Sequence, residues 1–192
     1  MYTLLDILGS TVVGGILYLM LFQVNAQISS TSVSMLTSTF SSRNTVDAGY
    51  ILEYDISKLG YLVANDFITT AEEHKIEFSS DLDNNGTVEN VLYVLGNVNE
   101  MTGTMNPNDR PLYRKVANGD TNMVSVLRDF NISYLDSAGN AISYASLNNQ
   151  TSRNSIRGIH LYLRIESSDP TDGIYPYIEF ERRITPKNLG RI

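Results

Sequence analysis

The sequence predicts an α+β fold in which a long N-terminal helix, apolar in its first half and amphipathic in its second, packs on an antiparallel β-sheet head. Three observations lead there. Residues Leu4 to Val24 form an apolar run with one acid, Asp6, near its start, and no basic residue precedes Arg43. Apolar residues then return at helical spacing as far as Val63, and beyond that point the period shortens to two. Residues 1–62 are therefore expected to form the helix, an anchor followed by an amphipathic half, and residues 63–192 a β-rich globular head.

The apolar run comes first. As a helix rising about 1.5 Å per residue, Leu4–Val24 is roughly 30 Å long, the thickness of a bilayer's hydrocarbon core. A secretory signal peptide has a basic start, a shorter apolar stretch and a small-residue cleavage site, whereas this chain opens Met1-Tyr2-Thr3 and runs on into polar, helix-compatible sequence. A buried helix of a soluble core would show a polar side. Here Val12, Val13, Ile16, Leu17, Leu19, Met20, Leu21 and Phe22 leave breaks only at Gly9, Ser10, Thr11, Gly14 and Gly15. An ordinary transmembrane helix carries flanking Lys or Arg, which this segment lacks, and does not account for Asp6.

A carboxylate in apolar surroundings costs several kcal/mol unless it is paired. With no Lys or Arg in this part of the chain, the amino terminus of a neighbouring subunit is the nearest candidate partner for Asp6. The other reading places Asp6 at the bilayer surface, capping the helix start and meeting its dipole. Gly9, Gly14 and Gly15 permit close approach of helices in an apolar bundle, while lowering helix stability.

From Asn25 to Ser42 the chain is polar but small, dominated by Ser and Thr, whose hydroxyls compete for backbone hydrogen bonds. A weak or locally melted helix and a Ser/Thr-rich linker are both open here. Ala48, Leu52, Ile56, Leu59 and Val63 then form one helical stripe, with Asp47, Glu53, Asp55 and Lys58 expected to lie off it. If helical throughout, Thr3–Tyr61 makes a rod of about 90 Å.

Five segments alternate as strands do: Ile76 and Phe78; Val91, Tyr93 and Leu95; Phe130, Ile132 and Tyr134; Ile159, Leu161, Leu163 and Ile165; Ile178 and Phe180. Turn signals separate them at Asp83–Gly86, Asn118–Asp120, Ala138–Asn140 and Asp169–Gly173. One antiparallel sheet follows, with the Ala48–Val63 stripe covering one face and the other face left for neighbours.

Composition excludes several functions. A net charge of −7 with no basic stripe argues against a nucleic-acid partner, and the absence of cysteine removes disulfide and thiolate chemistry. An enzyme is not expected: His74 and His160 are far apart in sequence, and no Gly-x-Ser-x-Gly elbow, His-Glu-x-x-His run or phosphate-cradling Gly loop occurs. His160 alternates with Ile159 and Leu161 and is expected on the outer face of its strand. Asn85, Asn131 and Asn149 open triplets of the N-glycosylation form, which is common by chance and decides little.

The strongest candidate for site chemistry is the acidic turn Asp81–Glu89. Asp81, Asp83, Asn85 and Glu89 stand at positions one, three, five and nine of an EF-hand-like loop with Gly86 at six, as a hard cation such as Ca²⁺ requires. Position twelve is Leu92, so the bidentate acid is missing, and the flanking alternation equally fits a β-hairpin turn that needs no cofactor.

Four stretches in this order resemble one family. Tyr2-Thr3-Leu4-Leu5-Asp6 looks like the Phe-Thr-Leu-Ile-Glu start of mature type IV pilins, with Asp6 fifth when counting begins at Tyr2. Asn44–Tyr61 is similar to the helix end of the W-type minor pilins and J-type minor pseudopilins, Ile76–Val94 resembles their strand, Asp-x-Asp-x-x-Gly-Thr turn and return strand, and Ile178–Leu189, with Pro186 and Asn188, resembles their last strand. Precursors in the family carry a short basic leader ending in Gly, so this sequence is expected either to be the mature form or to reach the envelope differently. The resemblance implies a structural subunit held in the inner membrane before assembly and packed afterwards, through its apolar helix, with other copies or related pilin subunits in an extracellular or envelope filament. A minor tip component that initiates assembly, and a membrane-anchored binding module that never polymerises and depends on Ca²⁺ in one version, are the alternatives.

Overall fold

The computed structural model describes residues 2–117, 119–168, 170 and 173–189, with the side chains of all of these except residues 2, 33, 34 and 36–46. The turns expected at Asn118–Asp120 and Asp169–Gly173 fall partly outside the described residues. The architecture is α+β, with, among the described residues, a first helix α1 (Tyr2–Ser57), eight strands and a single-turn helix α2 (Gln150–Arg153). The chain forms two compact units, residues 1–39 and 40–192.

The first unit is helix throughout its described residues. Thr3–Ser32 is long and apolar enough to cross a membrane, by length and composition, and none of it is buried in the chain. Its hydroxyls do not break it: Ser10, Thr11 and Ser30 donate to the carbonyls of Ile7, Leu8 and Gln27 at 2.9 Å, satisfying themselves inside the helix. Asn25–Ser42 is helical as well, so the Ser/Thr-rich linker reading is corrected. Side-chain hydroxyls that fold back on their own helix leave its backbone ladder intact.

In the second unit Ala48, Leu52, Ile56 and Leu59 are buried as their spacing predicts, and Val63 is partly buried against the same core. Asp55, expected off the stripe, is 2 % exposed. It stands three residues after Leu52 and four before Leu59, which puts it on the flank of the buried face. Gly49 is buried too, and a Cβ added there would meet the Phe180 ring at 2.8 Å.

The expected single sheet of five strands is corrected to eight strands in two antiparallel sheets. One has the order β1 (Ile68–Glu72), β2 (Lys75–Ser80), β3 (Glu89–Leu95), β4 (Arg110–Val116), β5 (Thr121–Leu127); the other has β6 (Asp129–Leu135), β7 (Gly158–Glu166), β8 (Tyr177–Ile184). The three unforeseen strands each break clean alternation. A bulge interrupts β1 after Ile68, Pro111 sits inside β4, and β5 has an extra residue, Val124, between Met123 and Ser125. Pro111 is tolerated because its missing N–H lies on the β3 side, where its own carbonyl accepts from Gly96 N–H at 2.8 Å and the Gly96 carbonyl takes Arg110 Nε at 2.8 Å in place of a backbone donor.

The inward residues of both sheets and of the helix end belong to one core, including Leu52, Ile56, Phe78, Tyr93, Ile132 and Leu161. The end of the helix is fastened to the turn after β2. Gly60, at φ +76°, donates to Ser79 O at 3.0 Å; Asp81 N–H donates to Tyr61 O at 3.1 Å; and the Ser80 hydroxyl donates to Lys58 O at 2.7 Å. Asn188 Nδ2 donates to Leu59 O at 3.2 Å, so carbonyls left open where the helix stops find donors.

Candidate functional site

Asp6 is exposed and lies beyond the first turn of α1, which contains no acid, so the reading in which it caps the helix start is corrected. Gly9, Gly14 and Gly15 have open space where a Cβ would stand. Among the described residues nothing requires them to be small.

The acidic turn is the β2–β3 hairpin loop, closed by the Ser80–Glu89 pair. Carboxylate oxygens of Asp81, Asp83 and Glu89 lie within 4.8 Å of one another, so the fold brings three of the four sequence-derived ligands together. The fourth, Asn85, is engaged: its Nδ2 donates to Asp83 Oδ2 at 2.9 Å and its Oδ1 accepts from Thr87 N–H at 2.7 Å. Asp81, fully buried, accepts from Asn85 N–H at 3.1 Å and Gly86 N–H at 2.9 Å, and Glu89 Oε2 accepts from Leu82 N–H at 3.0 Å. Asn84 and Gly86 hold the left-handed conformation that bends the loop, at φ +61° and +87°. Lys58 reaches in from the helix end to the Leu82 carbonyl, and to Asn84 Oδ1 at 3.3 Å. The loop therefore closes on its own hydrogen bonds, and its three carboxylates have the chemistry to meet a hard cation.

Two polar clusters were not foreseen. Asp55 Oδ2 accepts from the Tyr93 hydroxyl at 2.5 Å and from Arg114 Nε at 2.8 Å, and Arg114 Nε also donates to the Tyr93 oxygen at 2.9 Å. Burial first, and then the Asp55 charge and hydrogen bond, push the Tyr93 phenol far above its usual range against the opposing pull of Arg114. Burial disfavours the charge on Arg114, but Asp55 and Tyr93 outweigh it. The legible signal was an acid on the flank of an apolar helical stripe, which needs a partner once covered.

The second cluster centres on Glu166, 6 % exposed at the end of β7. It receives Arg128 Nη1 at 2.5 Å, Arg164 Nη2 at 3.2 Å, and the side-chain amides of Asn106 and Asn108 at 3.2 Å each. Burial raises its carboxyl, yet these donors together bring it below the ordinary carboxylate range. Nearby Asp109, 4 % exposed, is pushed up by burial and by the Glu166 charge, with a hydrogen bond from Thr104 acting the other way. His160 faces outward as expected, with its Nε2 at 2.8 Å from Glu181.

No protein-family model, curated protein or solved structure matches this chain.

Proposed function

We propose that this chain is a structural, pilin-like subunit, resembling the W-type minor pilins and J-type minor pseudopilins, that assembles through its apolar N-terminal helix into an extracellular or envelope filament. One observation carries the reading: an apolar segment, Thr3–Ser32, uncovered in the chain itself, belongs to the same helix whose last turns enter the core of a β-rich head. Such a surface needs either lipid or other helices. In this account it has both in succession, the inner membrane before assembly and neighbouring copies or related pilin subunits afterwards. Gly49 standing against Phe180 and Glu53 lying 3.7 Å from Arg182 support a helix end that packs on the sheets.

Two details support helix-to-helix packing over lipid alone. Among the described residues no contact requires the three glycines, and small residues allow helices to close on one another. Asp6 has no Lys or Arg before Arg43 to pair with, so a neighbouring subunit supplies the positive group, its amino terminus in the pilin-like arrangement. The role is structural and not catalytic. An anchored module that never polymerises is the competing reading, favoured by the sufficiency of one such helix for anchoring.

Asp6→Ala and Asp6→Asn test the proposal. Both should leave the melting temperature of the head unchanged and greatly reduce the subunit recovered in sheared filaments, the Asn variant because it keeps the shape and loses the charge. Filament yield equal to that of the native chain from both variants, at equal subunit levels, contradicts the role given to Asp6.

A further inference from the structure

We propose that Asn85, in the loop of the β2–β3 hairpin, is the acceptor of an N-linked glycan, its side-chain nitrogen taking a sugar from a lipid-pyrophosphate donor. The inference rests on the part of the reading above that puts the head outside the inner membrane, and not on assembly. Asn85-Gly86-Thr87 is one of three triplets of the acceptor form, which recurs by chance, so the triplet alone selects none of them. Their surroundings do.

Asn131 lies inside β6, half-buried and opposite Tyr162 of β7. Its neighbour Ile132 gives its N–H to Glu73 O at 2.9 Å, so the strand is pinned from both sides at this triplet. Asn149 is exposed but already caps α2: its Oδ1 accepts from Ser152 N–H at 2.9 Å, and its Nδ2 faces the neutral Asn148 amide oxygen at 3.3 Å. Thr151, the third residue of that triplet, belongs to the helix.

Asn85 differs on every count. Residues 83–88 are all exposed, and among the described residues nothing stands within 4 Å of the place a Cβ would take on Gly86, so the folded hairpin presents this triplet to a transferase. Asp83 holds Asn85 with both carboxylate oxygens, Oδ1 accepting the backbone N–H at 3.1 Å and Oδ2 accepting from Nδ2 at 2.9 Å. At the other end of the amide, Oδ1 accepts from Thr87 N–H at 2.7 Å. An acceptor at one end and a donor at the other fix which end is the nitrogen. The Thr87 hydroxyl has no partner among the described residues and is left for a transferase to read.

An amide nitrogen is a poor nucleophile because its lone pair is shared with the carbonyl. Asp83 Oδ2 stands where the departing Nδ2 proton goes, and Thr87 N–H supports the charge that collects on Oδ1 as the proton leaves. In the transfer the bond from Nδ2 to the sugar's anomeric carbon forms, the bond from that carbon to the pyrophosphate oxygen breaks, its electron pair leaves with the pyrophosphate, and the Nδ2 proton passes to the Asp83 carboxylate.

Two measurements on the full chain test this. Chain recovered from the cells that naturally make it, digested and mapped by mass spectrometry, should carry sugar on Asn85 and none on Asn131 or Asn149. In detergent micelles, with a single-subunit oligosaccharyltransferase and a prenyl-pyrophosphate-linked oligosaccharide, Asn85 should be modified about tenfold faster than either of the other two, or more. Asp83→Ala and Thr87→Ala should each slow that transfer by about tenfold or more, Thr87→Ser should restore most of it, and Asn85→Gln should abolish it. An Asn85 free of sugar in the native chain, or transfer to Asn131 or Asn149 as fast as to Asn85, overturns the proposal. Glycan on a chain that stays monomeric in the membrane upholds it while assembly fails, and filaments of unmodified chain overturn it while assembly stands.

Discussion

Tyr93 donates its hydroxyl to Asp55 at 2.5 Å, joining β3 to the last turns of α1 through a carboxylate that is almost wholly buried. Arg114 completes the arrangement from β4 at 2.8 Å. Tyr93→Phe should cost about 1–3 kcal/mol, since a buried acceptor loses a donor. Asp55→Ala should cost about 3 kcal/mol, near the lower end for a broken buried pair because the Arg114 side chain is 28 % exposed and keeps some water. Urea unfolding of the variants checks both, and losses below the error of the measurement contradict the role given to this contact.

The same pair sets a pH dependence. Folded Tyr93 keeps its proton above the ordinary phenol range, while the unfolded chain loses it near pH 10, so its contribution to stability is full below about pH 10 and falls as pH rises further. Tyr93→Phe should flatten that alkaline loss even though the variant is less stable at neutral pH. An identical alkaline slope in the variant assigns the titration to another group.

Gly49→Ala should destabilise the head by about 1–3 kcal/mol, because the new methyl stands 2.8 Å from the Phe180 ring. Helix propensity favours Ala, so a loss here isolates the clash. Adding Phe180→Leu should recover part of the loss, and a double-mutant cycle measures the coupling. Independent effects would mean the helix and β8 do not share this contact.

The acidic turn should behave as a hydrogen-bonded hairpin loop. Asp81→Ala removes the acceptor of two loop N–H groups and should cost about 2 kcal/mol, whereas the melting temperature should be equal with Ca²⁺ and with chelator. A Ca²⁺-dependent rise that vanishes in Asp83→Ala would establish instead a cation held by Asp81, Asp83 and Glu89.

A fragment beginning at Arg43 keeps the buried stripe and all eight strands. It should be monomeric without detergent, β-rich by circular dichroism and cooperative in unfolding. Gradual, non-cooperative melting would show that the apolar segment is needed for the head to fold.

Much of the fold is legible in the sequence where one period dominates. The Ala48–Leu59 stripe and the alternation in β2, β3, β6 and β7 each name buried residues correctly, because the burial of one face is what the pattern encodes. Legibility ends where a local device breaks the period. Val124 shifts the register of β5, and Pro111 disguises β4 as a loop although Arg110 Nε stands in for its missing N–H at the Gly96 carbonyl. Asp55 failed for a different reason: a charge reads as exposed until Tyr93 and Arg114, 38 and 59 residues further along, are known to meet it. The acidic turn was local, and its three carboxylates do converge, but which groups satisfy them depends on loop backbone conformation.

The central claim is assembly through the apolar helix, and electron microscopy of material sheared from cells that produce the chain tests it most directly. The account predicts filaments whose interior is built from packed Thr3–Ser32 helices, with the β-rich heads outside and Asp6 beside a positive group of a neighbouring subunit. Single heads that stay with the membrane fraction until detergent is added, with no filament containing the chain, would contradict it.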